Sequence, residues 1–440
     1  MRQHTVLFLS ALACAPALSL AQSYPIGYGP NPQLPEPDRK LIPTLNVAPT
    51  APWTAGQKPS APPGFSVTAY ARDLDHPRWL YTLPNGDVLV AETNAPPKPD
   101  DSKGLKGMVM KHEMKKAGAA TPSANRITLL RGLDANGVAQ SRSVYLKGLN
   151  SPFGMALAGK DLYVADSDAV LRFPYEEGAT SISTAGVKVM DLPAGTINHH
   201  WTKNIIASPD GKYLYVTVGS NSNVAENGIE AENGRAAIWQ LDIASGKSRL
   251  FATGLRNPNG MDWEPQTNTL WTVVNERDEL GNDLVPDYMT SVKDGGFYGW
   301  PYSYYGQHVD ARVKPQQPEL VAKAIVPDYA LGGHTASLGL TFYDGKLFPQ
   351  NYQGGAFIGQ HGSWNRKPHS GYKVVFVPFS GGKPSGPPQD FLAGFLTRDG
   401  KAQGRPVGVA VDGQGALLVA DDVGNVIWRV APASAQSASR

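Results

Sequence analysis

The chain has 440 residues, a net charge of +2 from 40 basic and 38 acidic side chains, and one cysteine, Cys14. With no Lys/Arg block, this balance argues against nucleic acid as a partner, because such binding needs a concentrated basic face. Its 47 glycines and 37 prolines stand as punctuation between β-branched and aromatic runs, the pattern of many turns and not of disorder.

Residues 1–21 read as a signal peptide, with Arg2 and His4 ahead of an apolar run and Ser19-Leu20-Ala21 as a small-x-small cleavage site. The run is shorter than the roughly 20 residues that span a bilayer, so a periplasmic or secreted protein with no membrane span is expected over an anchored one. Lipid attachment at Cys14 is the minor alternative. Residues 22–63 form a proline-rich N-terminal arm, and its scattered Ile26, Leu41, Ile42, Leu45, Val47 and Trp53 suggest packing along the domain. Residues 432–440 are small and polar, a flexible tail.

Between arm and tail, over residues 64–431, one unit recurs: a polar lead-in, a short apolar strand, a turn, and a second apolar strand ending in a polar residue. The six copies begin at His76-Pro77-Arg78-Trp79, Pro152-Phe153-Gly154-Met155, Lys203-Asn204-Ile205-Ile206, Asn257-Pro258-Asn259-Gly260, Leu338-Gly339-Leu340 and Val407-Gly408-Val409. Asn85-Gly86 and Asp210-Gly211 are strong hairpin signals, since both central residues tolerate positive φ. Third strands are visible from Ala169, Ala236, Tyr372 and Asn425. Phe65 to Tyr70 precedes the first copy and has a free partner only in the last, which would close a ring. The expected fold is an all-β, six-bladed β-propeller, with a sandwich or solenoid as the alternative.

In such a ring, residues just before the innermost strands gather at one mouth. His200 stands ahead of the third copy, Arg256 and Asn257 ahead of the fourth, His334 ahead of the fifth and Arg405 ahead of the sixth. His200, beside His199, is a candidate general base, against a buried histidine held by one backbone bond. Arg256 and Arg405 suit a polycarboxylate, because the guanidinium fork makes paired charge-assisted bonds; the alternative is a salt bridge between blades. Asn275-Glu276-Arg277-Asp278 is an oxygen-rich turn that suits calcium or is simply solvated. Trp300, Tyr302, Tyr304 and Tyr305 offer a flat wall for a ring-shaped ligand, or core.

The phrases Leu255-Arg256-Asn257-Pro258-Asn259-Gly260-Met261, Asn275-Glu276-Arg277-Asp278-Glu279-Leu280-Gly281, Gly299-Trp300-Pro301 and Gly359-Gln360-His361-Gly362-Ser363-Trp364-Asn365-Arg366 resemble the soluble pyrroloquinoline-quinone-dependent sugar dehydrogenases, most closely their sorbosone dehydrogenase-like branch. The resemblance implies a quinone held over the channel with calcium, and oxidation of a sugar or sugar-derived aldehyde by hydride transfer. It implies His200 as the base, and Arg256, Asn257 and Arg405 on the cofactor, with His199, Asn275 and His361 beside them. Backbone oxygens around Glu276 and Arg277 would hold calcium. Three departures stand out. His199 takes the place of an acidic residue, Val407 that of a second arginine, and the family's pocket lysine has no match near Gln360-His361-Gly362. The implied partners are a small sugar and an external electron acceptor, a quinone or cytochrome c. A calcium-dependent lactonase or esterase on a six-bladed propeller is the main alternative, and a binding scaffold the third reading.

Overall fold

Each hairpin begins with a turn whose chemistry dictates it. At Leu83 to Asp87, Gly86 adopts φ 86°, Asn85 Oδ1 accepts the Asp87 amide at 3.1 Å, and Leu83 and Asp87 close the turn through their backbones. The computed structural model describes residues 24–38, 44–97, 116–118 and 121–433. The expected leader, Cys14 and the tail beyond Ala433 lie outside the described residues.

Among the described residues, six sheets of four or five strands form the blades. Their innermost strands are Pro77–Thr82, Met155–Ala158, Ile205–Ala207, Pro258–Glu264, Ser337–Phe342 and Pro406–Val411. Each packs against the next, and the sixth against the first, so the six make a closed six-bladed β-propeller. All six strands start at or within three residues of the repeats read from the sequence. The closing strand is Phe65–Ala71, which pairs antiparallel with Val426–Pro432 from Phe65 opposite Pro432. This removes the edge that an open last blade would expose.

The ring is tight at its axis. A Cβ on Gly260 would lie 2.5 Å from Leu340 N, and one on Gly339 would overlap Val407 O, so the glycine early in these innermost strands is set by close backbone approach. Farther out, apolar faces meet between blades. Phe348, Tyr352, Phe357, Phe376 and Phe391 join Phe65 in one aromatic cluster, each buried ring contributing about 1.5–3 kcal/mol.

The arm crosses the ring end formed by blades 5 and 6. Asn46 donates its amide to Trp364 O at 2.8 Å, Ala51 to Ala402 O at 2.7 Å, and Trp53 Nε1 to Asp421 Oδ2 at 2.8 Å. Tyr28–Gly29 adds an edge strand to blade 4. No helix among the described residues is long and apolar enough to cross a membrane.

Candidate active site

Within each blade the start of the first strand lies opposite the end of the second, as in Pro77 with Glu92, Pro258 with Val274, Ser337 with Gln360 and Pro406 with Asp421. Residues before first strands and after second strands therefore share one rim. Several non-glycine residues there hold left-handed backbone, among them His76 (φ 54°), Asn198 (35°), His334 (56°) and Ala336 (52°). Such conformations are sparsely populated and gather where surrounding structure over-determines them, often at functional sites.

On the blade 3 side, His200 Nδ1 lies 2.9 Å from Ser220 O and 3.0 Å from Ser220 Oγ. A carbonyl only accepts, so Nδ1 carries the proton, and in the neutral ring Nε2 is the basic nitrogen. Ser220 Oγ gives its own hydrogen to Ser222 O at 2.7 Å, so it too accepts from His200. Glu232 braces this loop by accepting Asn221 N at 2.7 Å and the Ser222 hydroxyl, and Asn221 Oδ1 accepts the His199 amide at 3.2 Å. From below, fully buried Lys203 donates to the carbonyls of His200 and Trp201, both at 3.2 Å. Burial drives its pKa well below the usual lysine range, and Arg235 adds to the shift. The His199 ring stands edge-on to His200 at 4.6 Å. A Cβ on Gly219 would overlap Asn257 Oδ1 and lie 2.5 Å from His200 Cβ, so His200 and Asn257 meet across a glycine.

On the blade 4 side the arrangement is different. Arg256 is 2% exposed, and its five N–H groups meet five acceptor contacts. Nε donates to Asn223 O (3.3 Å), Nη1 to Asn275 O (3.2 Å) and Glu276 O (2.7 Å), and Nη2 to Asn223 Oδ1 (3.0 Å) and Asp278 Oδ2 (3.3 Å). No N–H is left for a ligand, which corrects the expectation that Arg256 binds the cofactor; the salt-bridge alternative describes it. Asp278 also accepts from His334 Nδ1 at 3.2 Å and Asn365 Nδ2 at 2.8 Å. Burial works to raise its pKa, but His334 and Arg256 bring it down to about 2. His334 Nε2 faces Gly281 O at 2.8 Å, so both ring nitrogens meet acceptors. Burial opposes the charged ring, yet Asp278 raises its pKa on balance.

Blades 5, 6 and 1 build the third part. His361 Nε2 lies 2.9 and 3.1 Å from the two Asp422 oxygens, Arg78 Nη1 donates to Asp422 Oδ2 at 3.0 Å, and His76 Nε2 is 3.4 Å from it. Burial works against the charged Asp422, but His361, His76 and Arg78 hold its pKa far below the carboxylate range. Arg405 is 4% exposed; its guanidinium lies over the Tyr372 ring at 4.9 Å and reaches one acceptor, Ala48 O, at 3.4 Å. Arg78 in turn lies over Trp201 at 5.6 Å, next to His200 in sequence. The rim is thus continuous from Arg405 through Asp422 and Arg78 to His200 and Asn257.

A family model described as TrAA12-like matches residues 59–293 and 312–433. The chain belongs to the TrAA12-like family. An uncharacterised protein of Borreliella burgdorferi is 30% identical over 305 residues, covering 67% of this chain and 79% of that protein. The aldose sugar dehydrogenase YliI of Escherichia coli is 25% identical over 337 residues, 68% of this chain and 79% of the relative. The holo pyrroloquinoline-quinone domain of pyranose dehydrogenase from Coprinopsis cinerea superposes with a TM-score of 0.67 at 21% identity, over 88% of this chain and all (100%) of that domain. This structural likeness bears on the propeller fold.

Two groups implied by the resemblance can be tested against the donors of this TrAA12-like chain. A flat polycarboxylate fits the blade 6 to blade 1 rim: two guanidiniums, each with a buried Nε lacking a partner, stand beside the faces of Tyr372 and Trp201. Calcium does not fit at Glu276 and Arg277. The Asn275 and Glu276 carbonyls already accept the Arg256 guanidinium, whose charge stands where a dication would be needed. The Glu276 carboxyl is buried, with its pKa pushed up to about 7, and accepts Arg277 N at 2.9 Å. The Arg277 side chain, 1% exposed, turns to Asp310 at 2.9 Å. Among the described residues, no group of three or more His, Cys, Asp or Glu is placed to hold a metal ion.

Sequence reasoning missed Arg78, Asp422, Ser220 and Glu232, and named Asp278 only within the oxygen-rich turn, not as the partner of Arg256 and His334. Arg78 carried a signal, a charge in the second position of an innermost strand, and Asp422 another, at the end of a second strand. Trp300, Tyr304 and Tyr305 are core, with Trp300 Nε1 donating to Asn223 O at 3.0 Å; only Tyr302 of that group is partly exposed.

Proposed function

We propose that this TrAA12-like protein oxidises a sugar or sugar-derived aldehyde, an aldose or a sorbosone-like compound, with pyrroloquinoline quinone as cofactor and His200 as general base. The activities named for the Escherichia coli and Coprinopsis cinerea relatives support the reaction class. The observation that carries the role of His200 is its tautomer. With Nδ1–H held on Ser220 O at 2.9 Å, Nε2 takes the proton of the substrate hydroxyl as the carbon–hydrogen bond breaks. The quinone, when bound, supplies the hydride acceptor, and an external quinone or cytochrome then removes the electrons.

The chain's own contribution is positioning. Arg405, backed by Tyr372, seats the flat anion, Asn257 stands against His200 across Gly219, and the Glu232 brace keeps the ring from turning. The rim cations argue for an organic anion over the side-chain oxygen cage that a propeller lactonase needs. The test is reconstitution of purified apoprotein with pyrroloquinoline quinone, with and without calcium, followed by dye reduction with aldoses, pyranoses and sorbosone. Silence with every donor overturns the reading, and lactone hydrolysis by the same preparation would put the lactonase in its place.

A further inference from the structure

We infer that Arg78 of blade 1 and Arg405 of blade 6 form a two-armed clamp for a carboxylate of a planar aromatic polycarboxylate. The identity of that ligand as the quinone rests on the function proposed above, whereas the clamp itself rests on charge and geometry.

The strand that carries Arg405 offers no second cation, since Val407, two residues on, is fully buried against Trp79, Phe153 and Leu338. The next blade supplies one. Pro77–Thr82 packs directly on Pro406–Val411, so closely that a Cβ on Gly408 would lie 2.8 Å from Arg78 O. Both guanidiniums therefore reach the same part of the rim from adjacent strands. Arg78 is held below the usual arginine range first by burial, with Asp422 opposing and the neighbouring Arg405 charge adding to the shift.

The two guanidiniums are not equally partnered. Asp422 takes Arg78, with His361 and His76 beside it, while the second buried carboxylate, Asp421, spends its oxygens on the Arg405 and Gly424 amides and the indoles of Trp53 and Trp428, so among the described residues the Arg405 guanidinium has no carboxylate in contact. A buried guanidinium with unmet N–H groups is costly until an anion joins it, and Arg78 Nε and Arg405 Nε are both buried without a partner. Asp422 fixes the orientation of Arg78 through Nη1 at 3.0 Å, and the Tyr372 and Trp201 rings beneath the two guanidiniums hold the clamp in place.

The experiment measures binding without turnover. Apoprotein is titrated with pyrroloquinoline quinone by tryptophan fluorescence, and with trimellitate, an aromatic tricarboxylate, by thermal shift, using wild type, Arg78→Gln, Arg78→Lys and Arg405→Gln. Each Gln variant is expected to bind the quinone about ten- to a hundredfold more weakly, the range for a lost hydrogen bond to a charged group. Arg78→Lys, which keeps the charge on Asp422 but not the fork, should also weaken binding, and it decides the matter if Arg78→Gln fails to fold. Wild-type affinity in a folded Arg78 variant, with a loss in Arg405→Gln, overturns the clamp and makes Arg78 only the counter-ion of Asp422. If the quinone does not bind wild type but trimellitate stabilises wild type and not the Arg78 variant, the clamp stands and the cofactor reading falls. If neither ligand acts on wild type, the clamp is wrong.

Discussion

Arg256 and Arg405 hold nearly the same place in the repeat, just ahead of the innermost strands of blades 4 and 6, and both are almost wholly buried. Their surroundings are opposite. Arg256 spends all five N–H groups on protein oxygens, whereas the Arg405 guanidinium, lying over Tyr372, has one long hydrogen bond of 3.4 Å and an orphaned Nε. The phase of a repeat brings a side chain to the rim, but neighbours from elsewhere in the chain decide whether it is mortar or a ligand arm. For Arg256 those neighbours are Asn223 and Asp278; for Arg405 the competing carboxylate, Asp422, is taken by Arg78 and His361.

The largest effect is expected at His200, the proposed base, which both halves of the rim flank. His200→Ala should lower kcat by about two to four orders of magnitude, the range for loss of a positioned general base, while quinone titration gives the wild-type affinity. Turnover at the wild-type level would remove His200 from the chemistry.

Next, the two arginines should separate in two measurements. Arg256→Ala strips the partner from Asp278 and the Asn275 and Glu276 carbonyls, so unfolding free energy should fall by about 3–5 kcal/mol, as when one side of a buried pair is removed. Arg405→Ala deletes a guanidinium that makes one long hydrogen bond and leaves its Nε unpaired, so denaturant unfolding should change by less than about 1 kcal/mol while quinone affinity drops. The reverse pattern would break the comparison outright.

Much of this was legible in the sequence. The recurring strand–turn–strand unit, with Asn-Gly or Asp-Gly turns in some copies, marked six repeats, and the repeat phase placed His200, Asn257, Arg405 and His361 on one rim. What stayed hidden has local causes. The third strands of blades 1 and 4, Arg126–Leu133 and Pro286–Ser291, follow long insertions that separate them from their hairpins. Arg78 was read only as part of a strand, because nothing local shows that its neighbour in space is Arg405. The aromatic run near Trp300 has no period that tells a ligand wall from core, and packing alone settled it as core.

A smaller effect should follow from filling the contact between base and amide. Gly219→Ala places a methyl on Asn257 Oδ1 and against His200 Cβ, so about 1–3 kcal/mol of overpacking cost is expected. If kcat falls while anion binding at the Arg78 and Arg405 side is kept, the two sides of the rim are independent. A parallel loss of anion affinity would show that they move together.

The finest test uses the two left-handed histidines, His76 and His334, which sit on opposite sides of the rim. His76 is buried against Asp422, Arg78 and His361, and burial lowers its pKa to about 4. The unfolded chain, with an ordinary value near 6.5, then binds more protons between those two limits, so His76 costs stability as pH falls from about 6.5 toward 4. His334 has the opposite sign: its pKa is raised by Asp278 against the effect of burial, so its contribution is complete below about pH 6.5 and fades as pH rises through the folded value. His76→Gln should therefore flatten the acid limb of a plot of unfolding free energy against pH, by about 1–2 kcal/mol, and leave the alkaline limb alone. His334→Gln should change the alkaline limb and leave the acid limb. An acid limb unchanged in His76→Gln would mean that His76 is protonated in the folded protein over that range, adding a positive charge to the Arg78 and Arg405 side.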